Sequence, residues 1–529
     1  MKRLLPIGIQ DFASIRERGF VYVDKTARIH EWLIGSDKPF FLSRPRRFGK
    51  SLLCSTLEAI FEGRRELFGE IAGRPALAID SLEWEWKKHP VIRIDLNPGN
   101  YMENGLETLN STLSRQLRVA AEKYGVILED NDCANRFASL IQKTSDKVGE
   151  RAVVIIDEYD KPLLETINDP VGNEKIRDEL KGFYGTLKSS DEHLRFLLLT
   201  GVTKFAKVSV FSDLNHLIDL TLNPRYADIC GLTEEEVQQN FEPEIAAILE
   251  EGGIKREEYL DNLRRYYNGY RFSKKPLKIY NPFGLLQHFD QNGEFAPYWY
   301  ETGTPTFLIK LVTEQKINIL SLNDMRVGHR DFRGYDVENM KAEPILYQSG
   351  YLTIKDYNDE LNIYTLDFPN VEVQSCFAKS LLDHYLLSSN ETADALNIRL
   401  LETMFKGEIE EAVDTLRRFL AAIPYDIIEK TENYYRTAIH LIFNILGLNC
   451  RSEVHTSDGR MDSLVEMKNF IYCFEFKLDK TADEALAQID EKKYLLPLMG
   501  KGKKMFKVGV NFDSETRNIG EWKYVEVDS

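Results

Sequence analysis

The sequence has no uncharged apolar run long enough to cross a bilayer, which in a helix takes about 20 consecutive apolar residues. Its first apolar stretch is cut by Pro6 and ends at Gln10 and Asp11, so it is also too short for the core of a secretory signal. We therefore expect no membrane partner and a cytoplasmic location.

Cysteines are also few, and the net charge is negative. The six cysteines form no C-x-x-C pair and lie mostly in apolar stretches, which argues against a zinc site and against a disulfide framework. A net charge of −16 argues against a protein that coats nucleic acid non-specifically, although it leaves room for a local basic groove. The 529 residues contain no low-complexity tract and have room for about three domains.

The stretch FFLSRPRRFGKS, residues 40–51, reads as strand, loop and helix start. Its end matches the last three positions of the phosphate-binding loop G-x-x-x-x-G-K-[ST], with Arg44 in place of the first glycine and Pro45 as a residue that could help the turn. Lys50 would reach the β- and γ-phosphates of ATP, and Ser51 would ligate Mg²⁺. A basic surface turn before an ordinary helix is the alternative. The expected nucleotide contacts of this loop are Arg46, Arg47, Phe48, Gly49, Lys50 and Ser51.

A second motif favours the nucleotide-binding interpretation. The run AVVIID, residues 152–157, is followed by Glu158 and fits a strand buried on both faces of a parallel sheet, whose carboxyl end meets the nucleotide. Asp157 would hold Mg²⁺, and Glu158 would polarise the attacking water. By itself, such a strand is usually only a strand and a turn, so the prediction rests on both motifs together.

Alternating strands and helices continue from residue 91 to residue 220 and indicate right-handed crossovers and a parallel sheet. We predict strands at 91–96, 194–199 and 216–220, and helices near 104–122, 134–147 and 173–188. Thr200, at the end of a strand, is the candidate sensor of the γ-phosphate. Tyr22 or Phe20 is a candidate contact for the adenine base, with cover of the sheet edge as the alternative.

Several long strings, among them YVDKT, FLSRPRRFGKSLLCSTL, VVIIDEYDKPL and YYNGYRFS, resemble the bacterial AAA-ATPase-like family. The resemblance spans nearly the whole chain. It implies an ATPase related to the STAND and archaeal branch of AAA-type NTPases, usually paired with a C-terminal nuclease-like domain of the PD-(D/E)xK type.

The expected fold class is α/β, with four segments. Residues 1–231 would form a P-loop ATPase core, 232–330 a helical lid, 331–421 a winged-helix-like region with a helical connector, and 422–529 a restriction-endonuclease-like domain. The lid begins with a capping pattern at Thr233. The candidates for an arginine finger, each with a solvated surface position as the alternative, are Arg225, Arg264, Arg265 and Arg271.

The C-terminal segment carries a second set of chemical groups. Asp462 is expected to open a strand, and the following strand IYCFEFK places Glu475 and Lys477 on one face, opposite Phe474 and Phe476. Clustered carboxylates that bind Mg²⁺ and a lysine that orients water are what phosphodiester hydrolysis requires. A solvent-facing ion pair on an edge strand is the alternative.

The family resemblance adds further residues to this segment. Glu432 and Glu453 resemble extra acids of restriction-like nucleases. A later helix with Gln488, Lys493 and Tyr494 resembles their Q…K-Y pattern.

Two functions are therefore expected. The first is an ATP-driven switch, active with Mg²⁺, that gates a nuclease acting on DNA, with a homo-oligomer and a monomer both left open. The second is a regulatory ATPase whose nuclease-like domain only binds DNA or protein. A small-molecule kinase fits less well, because Glu158 and the long lid suit hydrolysis and switching better.

Overall fold

A computed structural model describes residues 3–34, 39–204, 217–302, 306–315, 317, 322, 324–328, 341–386, 393–423, 430–445, 449–456, 459–500 and 502–527. Contacts divide the chain into two compact units. Unit 1 comprises residues 1–302 and 324–370, and unit 2 comprises residues 303–323 and 371–529. This division places residues 324–370 with the N-terminal unit, and the four segments drawn from the sequence remain predictions.

The main sheet of unit 1 is parallel throughout, with the strand order β2-β3-β4-β1-β5 among the described residues. Its strands are β1 (Pro39–Ser43), β2 (Val91–Asp95), β3 (Ala152–Asp157), β4 (Leu194–Gly201) and β5 (Ile218–Asp219). Every residue of β1 and β3 is buried, as the continuous Phe, Leu, Val and Ile runs predict. Because β4 lies between β1 and β3, the P-loop that follows β1 and the acidic end of β3 lie on either side of β4, at the carboxyl end of the parallel strands.

The helices of this part of unit 1, of which the first two precede β1 and the others lie between strands, confirm the predicted alternation. They are α1 (Phe12–Glu17), α2 (Thr26–Ile34), α3 (Lys50–Phe61), α4 (Tyr101–Tyr124), α5 (Cys133–Val148), α6 (Lys161–Glu165) and α7 (Pro170–Ser189). The second strand ends at Asp95, one residue earlier than predicted. The fifth strand is only Ile218–Asp219, and His216 lies outside the described residues.

The predicted lid begins as a small helical subdomain. The strands β6 (Leu232–Thr233) and β7 (Ile279–Tyr280) pair antiparallel, and the helices are α8 (Glu234–Asn240), α9 (Glu242–Gly252), α10 (Arg256–Tyr267) and α11 (Pro282–Asp290). The capping pattern is confirmed, since the Thr233 hydroxyl accepts from the backbone of Glu236 and the Glu236 side chain accepts from the backbone of Thr233. The apolar faces of these helices share a core that includes Val21.

After α12 (Thr306–Glu314), which belongs to unit 2, the chain returns to unit 1. There β8 (Met325–Gly328), α13 (Ala342–Ser349), β9 (Thr353–Asn358) and β10 (Ile363–Asp367) follow, with β10 between the other two strands in an antiparallel sheet. The helix and hairpin of the predicted winged-helix-like region are present. The strand β8 was not predicted, and residues 331–340 lie outside the described residues.

Unit 2 continues with helices and a mixed sheet. The elements are α14 (Val371–Leu386), α15 (Ala393–Lys406), α16 (Ile409–Ala422), α17 (Glu432–Ile445), β11 (Asn449–Thr456), β12 (Gly459–Glu466), β13 (Phe470–Leu478), α18 (Ala482–Glu491), β14 (Lys504–Asp513) and β15 (Asn518–Val527). The strands lie in chain order, and β13 and β14 form the parallel pair, with α18 as their crossover.

The two faces of β13 meet different surroundings because side chains alternate along a strand. Tyr472, Phe474 and Phe476 lie in the large core that residues of α15, α16 and α17 complete. Ile471 and Cys473 lie on the other face in a smaller core with residues that include Ile489 of α18. Glu475 and Lys477 continue this second face, as the sequence predicts.

Candidate functional sites

The phosphate-binding loop turns at a different residue from the one that the motif suggests. Positive φ angles occur at Arg47 (65°) and Gly49 (92°), and Lys50 then begins α3. The Lys50 ammonium is buried and donates to the backbone oxygens of Arg44 (3.1 Å) and Pro45 (3.3 Å). The loop is therefore closed around its own lysine, and the amino end of α3, a favourable position for an anion, follows directly.

Arg44, in the position of the missing glycine, braces the loop. Its fully buried guanidinium donates to the backbone oxygens of Ser43 (2.9 Å), Thr221 (2.9 Å) and Tyr226 (3.0 Å). It also lies 4.3 Å from the ring centroid of Phe272. Burial lowers the pKa of Arg44. The arginine therefore replaces the flexibility of glycine with a fixed scaffold of hydrogen bonds.

The acidic end of β3 lies beside the P-loop. Asp157 is buried, and its Oδ1 accepts from the Thr200 hydroxyl (2.5 Å) and from the backbone of Glu158 (3.1 Å). Its Oδ2 lies 3.7 Å from Arg93 Nη2. Glu158 has a left-handed backbone, with φ of 54°, and its Oε1 lies 3.4 Å from Lys50 Nζ. The structure thus brings together the lysine and the glutamate of the two motifs.

A cavity of about 410 Å³ opens at this point. Six of the predicted residues contribute to its lining: Arg46, Arg47, Gly49, Lys50, Ser51 and Glu158. Thr200 and Asp157 are not among the lining residues. The sequence suggested that Thr200 senses the γ-phosphate directly, but in the structure its hydroxyl donates to Asp157. Phe48 lines a neighbouring apolar pocket of about 110 Å³, together with Tyr22.

The two pockets are neighbours, since both are lined by Gly49, Leu52 and Pro282. Charged side chains of both signs line the larger pocket, whereas the smaller pocket is lined mainly by apolar side chains. Of the two candidates for a base contact, Tyr22 lines the apolar pocket and Phe20 does not.

The candidate finger arginines do not line either of these pockets. Arg271 is buried, and its guanidinium is occupied by backbone oxygens of Ser273 (3.0 Å), Lys275 (2.8 Å) and Lys355 (2.9 Å). It therefore acts as a brace within unit 1, and these hydrogen bonds count against a role in reading a γ-phosphate. All four candidates, Arg225, Arg264, Arg265 and Arg271, remain predictions.

The second site lies in unit 2, at the end of β13 that carries Glu475 and Lys477. Glu475 is 1% exposed, and its Oε1 accepts from Lys477 Nζ at 3.1 Å. Its Oε2 is buried without a hydrogen-bond partner among the described residues. Burial raises the pKa of Glu475 to about 7, with a further contribution from the charge of Asp462 that Lys477 partly offsets.

Asp462 faces Glu475 from the neighbouring strand and lies inside β12, whereas the sequence suggested that it opens the strand. Its Oδ2 accepts from the backbone of Phe476 (2.9 Å), and its Oδ1 accepts from Arg436 Nη1 (3.2 Å). Sequence reasoning missed Arg436. Its position four residues after Glu432, on the same face of α17, is the signal that could have revealed it.

The outer residues of the predicted nuclease set are less closely grouped. Gln488 lies on α18, but that helix ends at Glu491, so Lys493 and Tyr494 follow the helix and are not part of it. Tyr494 is buried, and burial together with the charges of Glu475 and Asp462 raises its pKa, which places it near the carboxylates. Glu432 begins α17 and is half-buried, and the side chain of Glu453 lies outside the described residues.

The donor sets of both sites suit Mg²⁺, which prefers oxygen ligands. In unit 1, Ser51 and Asp157 offer a hydroxyl and a carboxylate beside the cavity. In unit 2, the unpartnered Oε2 of Glu475 and the carboxylate of Asp462 form a pair of acids. Within the described residues, no group of three or more His, Cys, Asp or Glu side chains could hold a metal ion. A metal in unit 2 would therefore need water or substrate oxygens as its other ligands.

The sheet order, the P-loop and the carboxylate pair together define a P-loop AAA-type NTPase fold and a nuclease-like fold in one chain. Residues 6–211 match a family model described as a predicted AAA-ATPase, and residues 430–522 match one of the PD-(D/E)XK nuclease superfamily. The chain is also 36% identical, over 531 residues, to an uncharacterized protein in the vnfD 5' region of Azotobacter chroococcum mcd 1, with 98% of each chain covered. The chain belongs to the AAA-ATPase-like family with a C-terminal PD-(D/E)XK nuclease-superfamily domain.

In the part of the chain that the structure describes, no helix has both the length and the apolarity needed to cross a membrane.

Proposed function

We propose that the chain is an ATP-hydrolysing switch that controls a Mg²⁺-dependent nuclease acting on DNA. The observation that supports ATP hydrolysis most directly is the 3.4 Å contact between Lys50 Nζ and Glu158 Oε1 beside the 410 Å³ cavity. A cation that can bind phosphate and a carboxylate that can orient water are thereby placed at one position.

In this proposal, different residues of unit 1 bind the phosphates, hold the metal ion, orient the attacking water and contact the base. Lys50 leaves Glu158 and binds the β- and γ-phosphates, while Arg46 and Arg47 line the cavity on the same side. Ser51 and Asp157 would hold Mg²⁺, which neutralises charge on the phosphates when it is bound. Glu158 orients the attacking water and accepts its proton, and Tyr22 contacts the base in the apolar pocket.

In unit 2, Asp462 and Glu475 would hold Mg²⁺, which stabilises the developing charge on a phosphodiester when it is bound. Lys477 keeps Glu475 oriented and is positioned to orient the attacking water. The raised pKa of Glu475 means that the carboxylate must lose its proton before it can serve as a ligand.

One observation favours the second candidate function, a nuclease-like domain that binds DNA or protein without cutting. Arg436 already neutralises Asp462, at 3.2 Å from its Oδ1. A carboxylate held by an internal arginine is a weaker metal ligand than an unpaired one, because the metal must displace a formed ion pair.

ATP turnover by purified protein tests the first part of the proposal. Lys50→Ala should abolish ATP binding and turnover, whereas Glu158→Gln should retain binding and lose turnover. Lys123→Ala is a matched control, since that lysine pairs with Glu62 on the surface. Wild-type protein that binds no nucleotide would refute the proposal.

Cleavage of plasmid and linear DNA with Mg²⁺ or Mn²⁺, with and without ATP, tests the second part. Glu475→Ala should abolish cutting, and Glu466→Ala should not, because Glu466 pairs with Lys503 at another place on the sheet. If ATP changes the cutting rate of wild type but not that of Lys50→Ala, the result would support coupling between the two units. ATP turnover without any cutting would instead favour the binding module. Homo-oligomer formation and a cytoplasmic location remain predictions.

A further inference from the structure

Asp160 is a buried acid that the proposed mechanism does not use. It follows the end of β3 by three residues, and its side chain is fully buried. Burial, with the charge of Glu158 as the second cause, raises the pKa of Asp160 to about 6. Burying a carboxylate is unfavourable unless it is well hydrogen-bonded.

The side-chain hydrogen bonds of Asp160 all run to the segment just after β4, and its Oδ1 accepts from the backbone of Val202 (3.2 Å). Its Oδ2 accepts from the backbone of Val202 (3.1 Å), from the backbone of Thr203 (2.6 Å) and from the Thr203 hydroxyl (2.6 Å). The neighbouring Tyr159 makes two parallel contacts, since its backbone donates to Thr200 O (3.0 Å) and its hydroxyl donates to Thr203 O (2.9 Å). The turn after β3 is thus fastened to the end of β4.

The side chains of Asp160 and Tyr159 pack against Gly201, where any larger residue would meet them. A Cβ on Gly201 would clash with Asp160 Oδ1 and would lie 2.6 Å from the Tyr159 ring. The turn also contains Glu158, whose φ of 54° is unfavourable for a residue with a side chain and has to be held in place by its surroundings.

We propose that Asp160 is a positioning residue for ATP hydrolysis, which holds the left-handed turn at Glu158 by anchoring it to Val202 and Thr203. This inference rests on the proposed ATPase function. Asp160 does not line the cavity, so it acts on turnover through Glu158 and leaves phosphate binding by Lys50 and Ser51 intact.

The test compares wild type, Asp160→Asn and Thr203→Val in kcat and KM for ATP, in the Kd of a fluorescent ATP analogue, and in thermal melting. Asp160→Asn should lower kcat by about 10- to 100-fold through misplacement of Glu158, with KM and Kd within about 3-fold of wild type because the groups that bind phosphate are unchanged. Thr203→Val removes one of the three donors to the Asp160 carboxylate and should lower kcat by a smaller factor. Thr144→Val is the matched control, since this buried hydroxyl bonds only carbonyls of its own helix.

A folded Asp160→Asn protein with wild-type kcat would overturn the inference, as would a parallel loss of kcat and affinity. If Asp160→Asn does not fold, Thr203→Val decides, and an unchanged kcat overturns the inference. Wild-type protein that binds ATP without turnover would refute the ATPase proposal itself. If wild type and Asp160→Asn both turn over ATP at the same rate, only the inference about Asp160 is refuted.

Discussion

Replacing Glu475 by glutamine should remove a pH dependence of stability from unit 2. Burial raises the pKa of Glu475 to about 7 from an ordinary value of 4.5. Because the native pKa lies above the unfolded one, the native state holds this proton more tightly. The stabilising contribution is therefore complete below about pH 4.5 and is lost as the pH rises through about 7.

The size of this effect follows from the two pKa values. Between pH 6 and pH 8, the loss in the free energy of unfolding is about 1.4 kcal/mol. For a unit of this size, the loss corresponds to a fall in melting temperature of about 3–6 °C. Glutamine has the shape of the protonated acid and no charge to lose, so this component should be absent from Glu475→Gln.

Thermal melting in EDTA between pH 6 and pH 8 measures the effect as the difference between wild type and Glu475→Gln. Glu466→Gln is the control for loss of an acid on the same sheet. Mg²⁺ added at pH 8 should raise the melting temperature of wild type and should have no such effect on Glu475→Gln, because the metal stabilises the ionised pair. Equal pH dependence in wild type and Glu475→Gln would refute the reasoning.

Three further substitutions have expected outcomes. Arg44→Ala should destabilise unit 1 by about 3 kcal/mol or more, because it leaves several backbone oxygens without their donor. Urea unfolding would show this, and a loss no larger than that of the exposed Arg46→Ala would contradict it. Gly201→Ala should lower the ATP turnover rate with little change in nucleotide Kd, since its methyl group displaces the turn after β3, and unchanged turnover would count against that contact. Tyr22→Ala should weaken ATP binding by about 10-fold if it removes a stacked base, measured against inorganic triphosphate, whose affinity should not change.

Much of the fold was predictable because its signals are local. Continuous apolar runs gave the parallel strands, and the alternation of Phe474, Glu475, Phe476 and Lys477 gave the two faces of β13. These patterns need only neighbouring residues, and an ordered β-strand preserves the alternation. The fold class was therefore confirmed, whereas the position of β4 between the P-loop strand and the acidic strand was not predicted.

The contacts that sequence reasoning missed join residues that lie far apart in the chain. Arg44 bonds Thr221 and Tyr226, and Arg436 reaches Asp462 from another element. No local pattern indicates the partners of Arg44, and the spacing of Arg436 from Glu432 indicates only the face of α17 on which Arg436 lies. The sequence also contains no sign that the guanidinium of Arg271 donates to backbone oxygens, which counts against its role as a finger. The catalytic and binding roles assigned to the site residues remain predictions.

The contact between Lys50 and Glu158 has a consequence for nucleotide exchange. A buried ammonium without a counter-charge would cost several kcal/mol. Glu158, 3.4 Å away, supplies this counter-charge. Under the proposed function, the free energy that ATP gains from Lys50 is therefore only the difference between a contact with phosphate and the contact with this internal carboxylate. The same contact is then expected to favour release of the product, because Glu158 takes the place of the departing phosphate beside Lys50.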